Sequence, residues 1–361
     1  MIGLRSVLVL SMIGGLGSVA TQCTPRKPPP VVATPAAPVK AGPEIEVVAT
    51  PVPLDASNPA RTTVDGGFTY AGGLALTSPT TSRLHGLSDL AVGADGQLTA
   101  ITDEGDLFEA RIQLDAAGRL VGVTDGKLRP LIGLDGQALQ GKQQGDAEGL
   151  AMLPSGERLV SFERDHRIWL YPAGANGAWG TPRAAPKPAT VFPDNEGMEA
   201  LAAYPAAGPD TYLVGGEEGE VWLCRLSADC KALPPQSGPD FTWGLTAFAP
   251  FAGPAVATLH RGYDPIRGWR AVVRFISDPT LPAARQRTTA TLRLDGSLVH
   301  GNFEGLALTR SPNGGTRLYL VTDDGAPGSQ QTLLVAFDWV APPAPPPLPP
   351  KPTRKKPSRK R

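Results

Sequence analysis

Three glutamates open near-identical phrases: Glu148-Gly-Leu-Ala at 148–151, Glu199-Ala-Leu-Ala at 199–202 and Glu304-Gly-Leu-Ala at 304–307. Carboxylates are hard oxygen donors. Gathered in one place they would raise one another's pKa, and desolvation would add to the cost. A hard divalent cation is the natural remedy, and an oxygen-only donor set without His or Cys favours Ca²⁺ over zinc or copper. Asp146, Asn195, Glu196 and Asn302 flank the phrases and could add ligands. A second acidic set, Asp103, Glu163, Glu217 and Asp323, stands at the ends of short apolar strands that follow the phrase positions. These would position water or a second ion. Arg164, Arg261, Arg267 and His260 sit in the adjoining segments and could face an anionic substrate. A metal beside arginines is a layout for ester hydrolysis, with an activated water and cations holding the developing charge.

For distant glutamates to become neighbours, the chain must repeat one structural unit. Two weaker copies of the phrase, at Ser88 and Thr246, complete a series whose members lie about 50–60 residues apart, a period typical of propellers or arrays. Behind each copy comes an apolar strand (LTAIT, LVSF, YLVGG, VATLH, LYLVT) and then a third strand (LFEARIQL, RIWLYP, EVWLCRL, AVVRFI, TLLVAF). The first four units have room for a fourth strand, and the fifth runs into proline after Trp339. The strand FTYAGGLALTS at 68–78 can supply the missing one and close the ring, leaving no unpaired edges. The expectation is an all-β, five-bladed β-propeller; a sixth blade would have to lie in a segment without the signature. An open β-sandwich or two separate β domains is the competing arrangement. In a propeller the innermost strands line a central channel, so equivalent positions meet around one axis. Ser88 and Thr246 would leave any metal ring incomplete on two sides.

Composition adds boundaries. Residues 1–20 read as a signal peptide, with Arg5, an apolar run from Val7 and small residues at 18–20. Residues 21–65 form a Pro/Ala-rich linker, within which EIEVVATPVPL at 44–54 could pair as an edge strand. Residues 66–340 form the propeller, and 341–361 a proline-rich basic tail. The net charge of zero hides an asymmetry: residues 66–340 hold 30 acidic against 22 basic residues, while 351–361 hold seven basic and none acidic. An acidic folded part argues against nucleic acid as its partner and suits cations. Export to the periplasm or the outside fits Cys224 and Cys230, six apart and able to close a disulfide, and Cys23, which could carry a lipid tether. The basic tail could contact anionic envelope polymers. His85 and His300 read as turn residues, and Trp169, Trp222 and Trp339 as core between blades. No GxSxG elbow, HExxH or phosphate loop is present.

At these residues the chain resembles a known family, the bacterial domain described as "esterase-like activity of phytase". The matching motifs are GLSDLA at 86–91, TDEG at 102–105, GDAEGLA at 145–151, Glu163-Arg164, NEGMEALA at 195–202, His260-Arg261, NFEGLAL at 302–308 and TDDG at 322–325. The resemblance implies an exported propeller distantly similar to calcium-dependent propeller phytases. The expected function is a Ca²⁺-dependent hydrolase of phosphate or carboxylic esters at the channel mouth, acting on an anionic small molecule. In that expectation Glu148, Glu199 and Glu304 hold metal, and Asp103, Glu163, Glu217 and Asp323 are catalytic. Arg164, Arg261, His260 and Arg267 bind substrate. The rival is a non-catalytic envelope propeller that binds a ligand or protein and whose acidic ring is structural. A weaker third option is a cell-wall scaffold driven by the tail.

Overall fold

The computed structural model describes residues 43–174, 178–325 and 330–341. Residues 1–20, read as a signal peptide, Cys23, the first half of the linker and the basic tail from 342 onward lie outside the described residues. Three strands come first: β1 (Val48–Pro51), β2 (Thr63–Val64) and β3 (Phe68–Thr77). Four antiparallel sheets follow in chain order. Blade one is β4 (Leu87–Val92), β5 (Gln97–Thr102), β6 (Asp106–Leu114) and β7 (Leu120–Pro130). Blade two is β8 (Ala147–Met152), β9 (Arg158–Phe162), β10 (Arg167–Tyr171) and β11 (Arg183–Ala185). Blade three is β12 (Ala200–Ala203), β13 (Thr211–Gly215), β14 (Val221–Arg225) and β15 (Ala228–Leu233). Blade four is β16 (Trp243–Pro250), β17 (Val256–Asp264), β18 (Gly268–Ile276) and β19 (Thr288–Leu294). Blade five joins the first and last described strands: β20 (Asn302–Arg310), β21 (Thr316–Asp323) and β22 (Leu333–Trp339) continue into β3, whose far edge pairs with both β1 and β2. The first strands of the five sheets, β4, β8, β12, β16 and β20, contact one another in a closed ring. This is a five-bladed propeller, closed by the N-terminal strand.

The burial pattern follows from this geometry. A second strand such as β9 is covered on both faces by neighbouring blades, so Leu159, Val160, Ser161 and Phe162 are all buried. The outer strand β15 has no such cover and exposes most of its length. The core is therefore divided into five clusters, one at each blade interface. Trp339 stacks against both Phe68 and Phe275, which also touch each other, where blades four and five meet. Trp222 packs on Phe192 between blades two and three, whereas Trp169 is only half-buried, beneath the guanidinium of Arg167. The segment 44–54 does pair, as β1 against β3, so blade five extends into what composition alone marked as linker; its prolines are tolerated because β1 is an edge strand. Cys224 and Cys230 are joined by a disulfide across the β14–β15 turn.

Candidate functional site

Four of the five phrase positions are β-bulges. The strand register slips at Ser88 in β4, at Glu148–Gly149 in β8, at Thr246 in β16 and at Glu304 in β20, and Glu199 stands just before β12. A bulge inserts an extra residue, bends its strand and re-aims a side chain. The long Glu148, Glu199 and Glu304 side chains reach one open cleft of about 360 Å³ at the end of the inner-strand ring. The shorter Ser88 and Thr246 instead donate to the carbonyls of Gly86 (3.4 Å) and Phe303 (3.3 Å). Gly149 and Gly305 let adjacent inner strands close up. A Cβ on Gly149 would lie 2.6 Å from that of Leu201, and one on Gly305 would lie 2.8 Å from Asp89 Cα.

Asp103, Glu163, Glu217 and Asp323 line the same cleft, as do Asp146, Asn195 and Asn302. Eight carboxylates thus face three cations, Lys142, Arg164 and Arg261, a surplus of five negative charges. Lys142, on the short helical turn Gly141–Gly145, lies 2.5 Å from Asp103 and 3.4 Å from Asp146. Arg164 bonds Asp146 at 2.5 Å and Asn195 at 3.2 Å from a left-handed backbone position (φ 56°), uncommon for a side chain of its size. Arg261 bridges Glu217 (2.9 Å) and Glu304 (3.4 Å).

Crowding shows in the acids' protonation. Burial, then repulsion from Glu199 and Glu304, holds Glu148 well above the usual carboxylate range. Glu304 is raised by burial and Asp323, against the pull of Arg261. Burial and Glu217 push Glu199 up to about 8. Burial and Asp146 push Glu163 to about 7, while Asp103 is raised by burial to about 6 despite Lys142. Burial also raises Asp323.

The donor chemistry fits Ca²⁺. Every candidate ligand atom is an oxygen, and buried Asp103 Oδ1, Asp146 Oδ1 and Asn302 Oδ1 have no hydrogen-bond partner. The Asn302 amide donates to Glu304 (2.7 Å) and Asp323 (3.2 Å), which leaves its carbonyl oxygen over. Among the described residues, the trio with carboxylate oxygens within 4.8 Å of one another is Asp146, Glu148 and Glu163. The sequence expected Glu148, Glu199 and Glu304. All three do reach the cleft, but Arg261 already occupies Glu304, and the neighbouring Asp146 and the strand-end Glu163 come closer to Glu148.

Two expected substrate ligands lie elsewhere. His260 precedes Arg261 on β17, so the pleat turns it to the opposite face. It is fully buried, bonded to the Gln236 carbonyl (2.6 Å) and touching Arg274, and burial lowers its pKa to about 3. Arg267 sits at the tip of the β17–β18 hairpin, paired with Asp264 at 2.7 Å. Glu196 is not among the residues lining the cleft. His85, read as a turn residue, is buried with its Nε2 3.9 Å from Glu104, and His300 bonds the Leu298 carbonyl.

Sequence reasoning missed two residues. Lys142 lies in an unremarked polar run, GKQQG, and only folding brings it between Asp103 and Asp146. Asp89 holds the place that Gly149 and Gly305 hold in other repeats. Its buried carboxylate accepts N–H bonds from Leu90 and Leu150 (2.8 Å each) and Leu306 (3.4 Å), tying three blades together at the axis. Burial raises its pKa against those three donors. An Asp in a slot otherwise held by small residues was the available signal.

The phytase-like family model, described as "esterase-like activity of phytase", matches residues 82–326. No curated protein matches the sequence. Among solved structures, the chain is similar to virginiamycin B lyase from Staphylococcus aureus, with TM-score 0.39, 10% identity, 82% of this chain covered and 100% of that one. It is similar to a streptogramin B lyase at TM-score 0.36 and 8% identity, covering 70% of this chain and 93% of that one. It is also similar to the β-propeller domain of Myceliophteria thermophila Cps50 (Swd1), at TM-score 0.36 and 11% identity, covering 83% and 97%. Likenesses this weak carry no conclusion; the propeller stands on its own strand pairings.

Proposed function

The chain belongs to the family described as esterase-like activity of phytase, and from that premise we propose that its acidic mouth hydrolyses phosphate or carboxylic esters with Ca²⁺ held among the carboxylates. The observation that carries this reading is the surplus of eight carboxylates over three cations in one open cleft. So much negative charge in one cleft is costly unless protons or cations neutralise it. Asp146, Glu148 and Glu163 would hold the ion, with Asn302 and Glu199 as further donors. When bound, Ca²⁺ would supply Lewis-acid polarisation of the ester and lower the pKa of a bound water.

The chain's own residues have complementary roles. Asp103, raised to about 6, titrates close to neutrality, where a general base works best, while Glu163 is kept for the ion. Glu217, close to Glu163, and Asp323, close to Asp103, would orient water. Arg164 and Arg261, held by their acid partners, offer remaining N–H groups to an anionic oxygen. Export and a tether at Cys23 belong to the same reading, since a weak, partly neutralised Ca²⁺ site suits the higher calcium outside cells. The basic tail would then meet anionic envelope polymers.

One observation favours the rival, a binding propeller with a structural ring. Asp103, Asp146, Glu217 and Glu304, four of the eight acids, already carry a cation partner. Turnover of p-nitrophenyl phosphate and p-nitrophenyl acetate, with and without chelator, separates the two. The hydrolase reading expects chelator-sensitive turnover that is lost in a folded Glu148→Gln/Glu304→Gln variant. Equal inactivity of wild type and variant across an ester panel leaves the binding propeller.

A further inference from the structure

The β17–β18 hairpin of blade four is built unlike its counterparts. In blades one, two and three, the paired second and third strands end at Ile101–Leu107, Phe162–Arg167 and Gly215–Val221, just short of the mouth residues Asp103, Glu163 and Glu217. In blade four, pairing continues beyond the mouth residue Arg261 through Gly262–Arg270, Tyr263–Trp269 and Asp264–Gly268. Arg261 and Tyr263 are two residues apart on one strand and share a face, and Trp269 opposes Tyr263 on that face. The face that carries Arg261 into the mouth therefore continues outward as an aromatic pair, ring centroids 4.8 Å apart, with the Arg261 guanidinium 5.9 Å from the Trp269 ring.

Tyr263 faces solvent, Trp269 beside it is half-buried, and the turn beneath them is held by hydrogen bonds and ion pairs. Tyr263 is 50% exposed, and Ile266 at the tip is 96% exposed. The tip is pinned by Asp264, whose carboxylate accepts from the backbone N–H of Ile266 (3.0 Å) and Arg267 (2.8 Å) and pairs with Arg267 and Arg270. Arg267 thus holds the turn. From behind, the Trp243 ring packs against Gly262 and under Arg270. A preorganised aromatic shelf loses little entropy on binding and prefers planar or apolar groups. A compact polyanion, by contrast, would bring only more negative charge to a mouth already five acids in surplus.

We propose that Tyr263 and Trp269, with Ile266 at the edge, seat the apolar or aryl portion of an amphiphilic ester whose polar head enters the acidic mouth. The inference rests on the hydrolase reading for the head and on the blade-four geometry for the rest. It is tested by equilibrium binding of phenylphosphonate and methylphosphonate to the calcium-supplemented protein, followed by calorimetry and tryptophan fluorescence. Phenylphosphonate should bind about tenfold tighter, and a Tyr263→Ser/Trp269→Ser variant that melts like wild type should bind the two alike. Should that variant not fold, Ile266→Ser, at an exposed tip, should still narrow the preference. Equal affinities in wild type, no binding of either probe, or a preference unchanged in both variants overturns the proposal. An aryl preference without turnover of any ester keeps the shelf and removes the hydrolase. Turnover with equal KM for aryl and short alkyl esters does the reverse.

Discussion

The inner-strand ring has two ends built from the same five strands. At one end stand Glu148, Glu199 and Glu304; two residues further along are Leu150, Leu201 and Leu306, joined by Leu90 and Phe248. Those side chains, with Met152, Pro250 and Leu308 beyond them, line a small apolar cavity at the other end. A step of two residues, about 7 Å along a strand, therefore takes the axis from the most acidic place in the fold to an apolar plug. Asp89 marks the boundary, its carboxylate capped by three blades' N–H groups. Five-fold repetition multiplies whatever residue occupies a given layer. Repeated leucine gives packing, and repeated glutamate gives strain that only protons, arginine, lysine or a metal can relieve.

The comparison can be broken most severely at the apolar end. Leu201→Ala or Leu306→Ala should cost about 2–5 kcal/mol, because each removes a buried side chain and enlarges the cavity it lines. Chemical denaturation in chelator reads this loss, and calcium should raise stability by the same increment in variant and wild type. A variant that loses its calcium response while still folded would show that the two ends are not separable.

Next in size is calcium itself. Added at about a hundredfold excess over its Kd, it should stabilise the native protein by roughly 2.7 kcal/mol by mass action. At one fixed calcium concentration the gain should be greater at pH 8 than at pH 6, because Kd falls as the acids lose their protons. The sign follows from the acids: Glu199 and Glu163 titrate at about 8 and 7 in the native state, above their unfolded values. Between those limits the native state binds more protons, so metal-free stability is lost as pH rises, and the ion replaces the departing protons. A pH-independent melting shift would contradict this account of the mouth.

Smaller still is the effect of removing charge. Glu148→Gln should raise stability in chelator at pH 8 by roughly 1 kcal/mol, because a repelled buried carboxylate is gone, and should weaken the calcium response. An effect of similar size lies outside the mouth. His260 stays neutral down to about pH 3, whereas the unfolded residue protonates near 6.5, so stability falls as pH drops below 6.5. Over the first pH unit the loss should be about 1 kcal/mol, unaffected by chelator and absent in a folded His260→Gln variant.

Much of the fold could be read from the chain because repetition survives in one dimension. The phrase, the apolar strand behind it and the third strand recur at each blade, and the fifth unit's missing strand points to 68–78 as its closure. What spacing does not encode is the direction of a side chain. His260 and Arg261 are neighbours in sequence and looked alike as substrate ligands, yet the pleat puts one on the Gln236 carbonyl and the other on Glu217. Lys142 stands one helical turn before Asp146, but its closer partner, Asp103, belongs to another blade, and that contact left no signal in the sequence.

The sequence by itself determined that three glutamates occupy equivalent positions in a ring of like sheets, since a repeated pattern on a closed ring must converge. It determined too that they are followed by residues small enough for the inner strands to meet. Only the tertiary structure decided how the resulting charge is shared. The bulges aim the side chains, Arg261 takes Glu304 and Glu217, and Asp146 and Glu163 draw in around Glu148. Electrostatic energy depends on distances of a few ångströms between groups far apart in the chain, and those distances exist only after the ring has closed.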